Sequence, residues 1–235
     1  MQEDVKIKLQ YQPNLNQKIW NLNNKLKPEV RQKLLQFAKT WQVFASIPSS
    51  AVTDVILTGG NANYNYTPFS DLDVHLLVDR SKLTMFGSTI DDQMQAKKQL
   101  WTLTHNITVL GYPLEPYAQD KNSKFPKGQG VYSLKNDKWL QEPVFETGID
   151  FKNDPRLKNK VEHYMDLIDA IIDHNMGQSA IDSIKTKLRT MRNAAIAKGG
   201  EVSFENLVFK ELRNQGYLDK LNTYEKTKQD KKLSL

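Results

Sequence analysis

The chain predicts an α+β fold with a sheet-based core to about residue 150 and a helical domain after it. Three observations carry this. Short strand-like runs, VILT at 55–58 and LDVHLLVD at 72–79, flank a Gly-Gly turn. An amphipathic helix precedes them and another follows. Beyond Asp154-Pro155 the apolar spacing is helical almost to the end, with breaks only at Gly177, Gly199-Gly200 and Gly216.

Taken in order, Val5, Ile7, Leu9 and Tyr11 alternate, as a short edge strand over residues 1–12 would require. From Pro28, a first-turn proline, the spacing of Val30, Leu34, Leu35, Phe37, Ala38, Trp41 and Phe44 gives a helix with one wide apolar face for packing on a sheet. Asp54–Asp79 then reads as strand, turn, polar loop and strand. Residues two apart on a strand point the same way, so Asp71, Asp73 and His75 share one face while Leu72, Val74 and Leu76 take the other. After a loop with Gly87, Ile90–Trp101 is helical. Ile107–Leu110 and Leu114–Gln119 form a hairpin around Gly111-Tyr112-Pro113, and residues 131–140 form a second around Asn136-Asp137 with Trp139 turned inward. Residues 121–130, KNSKFPKGQG, are a basic loop that either covers a site or is plain surface. Asp154 caps a helix through Ile172, a second runs from Ile181 to Gly199, and a third starts at Ser203. The polar tail TYEKTKQDKKLSL is expected to fray.

Composition bounds the function classes. The 235 residues carry 33 Lys+Arg against 27 Asp+Glu, a net charge of +6. Split at residue 150, the halves hold 17 basic and 15 acidic residues, then 16 and 12. That bias is compatible with a polyanionic partner without requiring one. With no cysteine there is neither disulfide nor thiolate chemistry. The start, MQEDVKIKLQ, has no apolar signal core, and no apolar run reaches membrane-spanning length, so a cytoplasmic protein is expected.

The chemistry concentrates at Asp71 and Asp73. Two carboxylates side by side on a strand repel, and a divalent cation relieves the repulsion. Mg²⁺ suits them, since it takes one or two protein oxygens and completes its octahedron with water and phosphate oxygens. The Gly59-Gly60 turn, lacking Cβ atoms, lets backbone N–H groups approach a phosphate. Asn61 and Ser70 flank the turn and the acids, and Tyr64 and Tyr66 lie between. His75, on the acid face, is a ligand, a base or a polar neighbour.

Gly59-Gly60, ten residues, then Asp71-Leu72-Asp73-Val74 resembles the signature of the nucleotidyltransferase superfamily that includes DNA polymerase beta. The strings TGGNANYNYTPFSDLDVHLLVD, AKKQLWTLTHNITVLGYPLEPYAQD and GVYSLKNDKWLQEP are more specifically similar to small predicted nucleotidyltransferases of tailed bacteriophages, and SFENLVFKELRNQGYLDKL fits them too. The resemblance implies a mixed sheet with flanking helices and a C-terminal helical domain closing the cleft. It also implies a third acid on a later strand. Glu115 is in that position, with Asp120 as fallback.

The implied reaction is transfer of a nucleoside monophosphate from an NTP to a hydroxyl acceptor, RNA or protein among them, with release of pyrophosphate. Two Mg²⁺ ions, or Mn²⁺, would be held by Asp71, Asp73 and Glu115. Gly59, Gly60, Asn61 and Ser70 would bind the nucleotide. Lys98, and the Lys185, Arg189 and Arg192 face, either contact the triphosphate or acceptor or are solvated. Many relatives have serine at the position of Gly60, so a hydroxyl is missing here. A silent nucleotide- or RNA-binding module, and a structural or assembly protein that keeps only the fold, remain open alternatives. If phage-encoded, the protein would work in the host cytoplasm.

Overall fold

The computed structural model describes residues 5–83, 89–145 and 150–234. The chain forms two compact units: Gln12–Glu146, and Thr147–Leu235 together with the described part of Met1–Tyr11. The loop around Gly87 and the junction at 146–149 lie outside the described residues.

The first unit is mixed α+β. Its helices are α1 (Pro28–Phe44) and α2 (Ile90–Thr104). Its strands are β1 (Val52–Thr58), β2 (Leu72–Val78), β3 (Thr108–Val109), β4 (Tyr112–Asp120), β5 (Val131–Ser133) and β6 (Lys138–Gln141). They form a six-stranded sheet in the order β3-β4-β2-β1-β5-β6. β2 and β4 run parallel, which the α2 crossover allows, and the other neighbours are antiparallel.

One face of the sheet is apolar. Leu72, Val74 and Leu76 of β2, Val55 and Leu57 of β1, and Leu114 and Ala118 of β4 pack with Val30, Leu34 and Trp41 of α1 and Met94 and Trp101 of α2. Each fully buried large side chain contributes about 1.5–3 kcal/mol. Trp101 meets Phe37, Trp41 and Phe44 edge-on at 5.0–5.8 Å, joining the two helices through aromatic contact. Residues directly opposite in register share a face, so the other side displays Asp73 and His75 of β2 with Glu115 and Tyr117 of β4. Farther along, Ile56, Leu77 and Val131 are buried with Phe125 of the 121–130 loop against them.

The β3–β4 turn places Leu110 and Gly111 at φ 53° and 85°. Both central residues are therefore left-handed, as a tight hairpin's twist demands. The second hairpin turns with Asp137 at φ 53°.

The second unit holds α3 (Pro155–Asp173), α4 (Gln178–Gly199), α5 (Phe204–Asn214) and α6 (Tyr217–Leu233). Asp154 caps α3, accepting from Arg156 N at 2.9 Å and Leu157 N at 3.4 Å.

Two expectations are corrected here. The described residues 5–11 form no strand. Their alternation is real, but Ile7 and Leu9 enter the core of the helical unit beside Leu207, Val208 and Leu212. Their backbone is met by a carboxylate instead of a neighbouring strand: buried Glu211 accepts from Lys8 N at 2.9 Å and Leu9 N at 3.0 Å. The polar tail is helical through Leu233, not frayed. Leu221 is buried, Tyr217 donates to Asp169 at 2.9 Å, Glu225 pairs with Lys185, and Lys228 caps the Met176 carbonyl at 2.7 Å.

Glu211→Ala strands the Leu9 N–H in a buried place. Urea denaturation is expected to show a loss of about 2–4 kcal/mol, and an unchanged midpoint would refute the clamp.

Candidate active site

β1 delivers the chain to Gly59, and the backbone there takes φ 77°, which an L side chain rarely adopts. A second reason for glycine is contact. Thr58 pairs with Asp73 across the sheet, and a Cβ built on Gly59 would lie 1.7 Å from Asp73 Oδ2. The turn thus presses its bare backbone against the second acid. At Gly60 a Cβ would meet Ser70 Oγ at 3.0 Å, so this hydroxyl approaches the space a residue-60 side chain would enter.

Asp71 precedes β2, Asp73 is within it, and Glu115 stands opposite Asp73 in the parallel β2–β4 register. One carboxylate oxygen from each lies within 4.8 Å of the others. All three are half-buried. Three like charges so close are costly unless a cation is shared. The hard oxygen donors suit Mg²⁺ or Mn²⁺, and the bare backbone of Gly59 lies directly against the Asp73 carboxylate. Asp120, the alternative third acid, is not in this cluster; it pairs with Arg80 Nε at 3.2 Å.

Lys98 of α2 reaches the cluster, its ammonium 2.8 Å from Glu115 Oε2 and 5.7 Å from the Tyr117 ring centre. It supplies positive charge at the edge of the site. His75 contacts Gln119 Oε1 through Nδ1 at 2.9 Å and lies 5.2 Å from the Tyr117 ring. Burial lowers its pKa to about 4, against the opposing Gln119 contact, so the imidazole is neutral near pH 7.

Asn61 and Ser70 have places other than the open edge of the site. Both are buried. Asn61 Nδ2 donates to the Asp71 carbonyl at 2.8 Å and the Ser70 carbonyl at 3.3 Å, while Asn61 Oδ1 accepts from Asn16 Nδ2 at 2.8 Å. Ser70 Oγ accepts from Thr67 N at 2.9 Å. They brace the loop from behind and fix where Asp71 begins. Lys185, Arg189 and Arg192 belong to α4, in the other unit. Tyr64 packs edge-on against Phe145 at 5.0 Å.

Several supporting residues escape a reading of the sequence. Trp20 Nε1 donates to the Asn61 carbonyl at 2.7 Å. Asn63 Nδ2 donates to the Gly59 carbonyl at 2.6 Å and its Oδ1 accepts from Gly130 N at 2.8 Å. Gly130 is itself obligatory, since a Cβ there would lie 1.9 Å from the Ala62 carbonyl oxygen. The Trp20–Asn61 and Asn63–Gly130 bonds span 41 and 67 positions in sequence, and only the repeated asparagines of NANYN hinted at a hydrogen-bonded loop.

The fold and site define an α+β protein with a carboxylate cluster able to hold a divalent cation. No protein-family model and no curated protein matches the chain. Among solved structures it is similar to a STING-associated CdnE c-di-GMP synthase from Capnocytophaga granulosa. The identity is 12%, the match covers 87% of this chain and 82% of that one, and the TM-score is 0.22. Among the described residues no helix is long and apolar enough to cross a membrane.

Gly59→Ala separates contact from backbone strain when set beside Gly111→Ala, because a Cβ on Gly111 meets nothing within 4 Å at a similar φ of 85°. Gly111→Ala is expected to cost only the left-handed strain, about 1 kcal/mol. Gly59→Ala should cost clearly more in thermal denaturation, and equal costs would refute the contact with Asp73.

Proposed function

We propose that the chain is a metal-dependent nucleotidyltransferase that moves a nucleoside monophosphate from an NTP to a hydroxyl acceptor and releases pyrophosphate. The observation that carries this reading is the convergence of Asp71, Asp73 and Glu115 beside a side-chain-free turn. The spacing of Gly59-Gly60 and Asp71-x-Asp73, which resembles the nucleotidyltransferase signature, supports it.

Bound there, Mg²⁺ ions, two in the proposed reaction, would supply charge neutralisation at the α-phosphate and lower the pKa of the acceptor hydroxyl. Asp71 and Asp73 would hold cation oxygen bonds toward the triphosphate, and Glu115 toward the acceptor. The turn's backbone N–H groups at Gly59 and Gly60 would receive the outgoing phosphates. Asn61 and Ser70 would act by positioning the turn and Asp71, consistent with their burial. Lys98 would keep Glu115 oriented through Oε2. Neutral His75 would add no competing positive charge.

Asp71→Asn with Asp73→Asn is expected to cut transfer of α-labelled NMP by at least about 10²–10³-fold in Mg²⁺ with a mixed RNA and protein acceptor pool. The melting temperature should not fall, because like-charge repulsion is relieved. Undiminished labelling by the double variant would eliminate the assignment.

A further inference from the structure

Lys185, Arg189 and Arg192 lie along one face of α4, Arg189 exposed and the other two half-buried. This face forms one wall of a pocket of about 220 Å³ inside the helical unit. Leu188, Phe209, Leu218 and Leu221 give the pocket an apolar surface, and Asn222 adds a side-chain amide. Among the described residues no carboxylate lines it.

The three cations differ in their commitments. Lys185 is paired with Glu225 of α6. Arg192 lies over the Phe209 ring at 5.0 Å, with its Nε 3.3 Å from Asn206 Oδ1. Asn206 is buried, and the nearby carboxylate of Glu201 is taken by Lys210 at 2.7 Å. Arg189 is exposed and, among the described residues, has no hydrogen-bond or ion-pair partner. Cations four and three positions apart on a helix face repel one another; Lys185 is paired with Glu225, and Arg192 lies in the field of the buried Glu201 carboxylate. The pocket therefore holds one guanidinium, that of Arg189, with no ion-pair partner among the described residues, beside an apolar and aromatic surface.

Guanidinium groups match phosphate oxygens bidentately. An apolar floor with one phenyl ring suits a flat heterocycle, and an amide can both donate to and accept from its edge. The volume falls below that of the usual drug-sized cavity, about 300 Å³ and more, which excludes large or polymeric occupants from the pocket itself. We infer that the helical unit binds a small nucleotide, of the nucleoside monophosphate class, with its phosphate on Arg189 and Arg192 and its base against Phe209 and the leucines. The residues of this site all belong to the helical unit, share none with the carboxylate cluster, and need no divalent cation. It gives the helical unit a ligand of its own.

The test uses the full chain in EDTA, so that metal-dependent binding is removed. Calorimetry with AMP, adenosine and inorganic phosphate reads the two halves of the pocket separately. AMP is expected to bind, and at least tenfold more tightly than either fragment. Arg189→Ala, at an exposed position with no partner among the described residues, should weaken AMP by tenfold or more with the melting temperature unchanged. Asp71→Asn with Asp73→Asn should leave AMP binding unchanged, even if that pair proves irrelevant to catalysis. No AMP binding to the wild-type chain in EDTA would overturn the proposal, as would binding that Arg189→Ala does not weaken. Inorganic phosphate binding as tightly as AMP would overturn the role given to the apolar floor.

Discussion

Three carboxylates held within reach of one another are the constraint around which the sheet-bearing unit is built. Left alone they repel, and a flexible chain would move them apart. Here strand pairing forbids it: Asp73 and Glu115 face each other in the parallel β2–β4 register, and Asp71, immediately before β2, reaches the same cluster. The electrostatic cost is borne by backbone hydrogen bonds and by the apolar face underneath, where Leu72, Val74 and Leu114 anchor the same two strands against α1 and α2. A rigid arrangement of that kind is what a cation site requires, since the ion's free energy is then spent on binding and not on gathering ligands.

The turn after β1 is fitted to this cluster from both sides. Gly59 must be glycine because Asp73 occupies the place of its Cβ, and Gly130 must be glycine because the Ala62 carbonyl occupies the place of its own. Between them Asn63 ties Gly59 to Gly130, and Asn61 ties the turn to Asp71. Lys98 adds one positive charge to the rim. The helical unit shows the same principle with other means: the buried Glu211 carboxylate organises the chain near Leu9, and the Glu201–Lys210 pair is enclosed with Asn206.

Much of this was legible in the residues. The period-two pattern of DLDVHLLV puts Asp71 and Asp73 on one side, whereas Glu115 is singled out only because the resemblance implies a third acid on a later strand. The caps and breaks at Asp154, Gly177 and Gly216 mark real helix boundaries. What escaped depends on contacts distant in sequence. Alternation at Val5 to Tyr11 satisfies a strand or an extended segment buried among helices equally well, and only the carboxylate of Glu211, more than 200 positions away, decides between them. The tail looked frayed because its composition is polar, whereas Leu221 and ion pairs to α3 and α4 hold it. Asn61 and Ser70 look like ligand contacts by adjacency, and burial gives them bracing roles instead. Spacing grouped Lys185, Arg189 and Arg192 correctly but could not reveal the leucines and Phe209 that make their face a pocket.

The most direct test of the cation site is crystallographic: crystals soaked in Mn²⁺, with anomalous scattering recorded at the manganese edge. The account predicts a peak bonded at about 2.0–2.2 Å to oxygens of Asp71, Asp73 and Glu115. A map with no peak there, or with manganese bound only at other acidic residues, would contradict it.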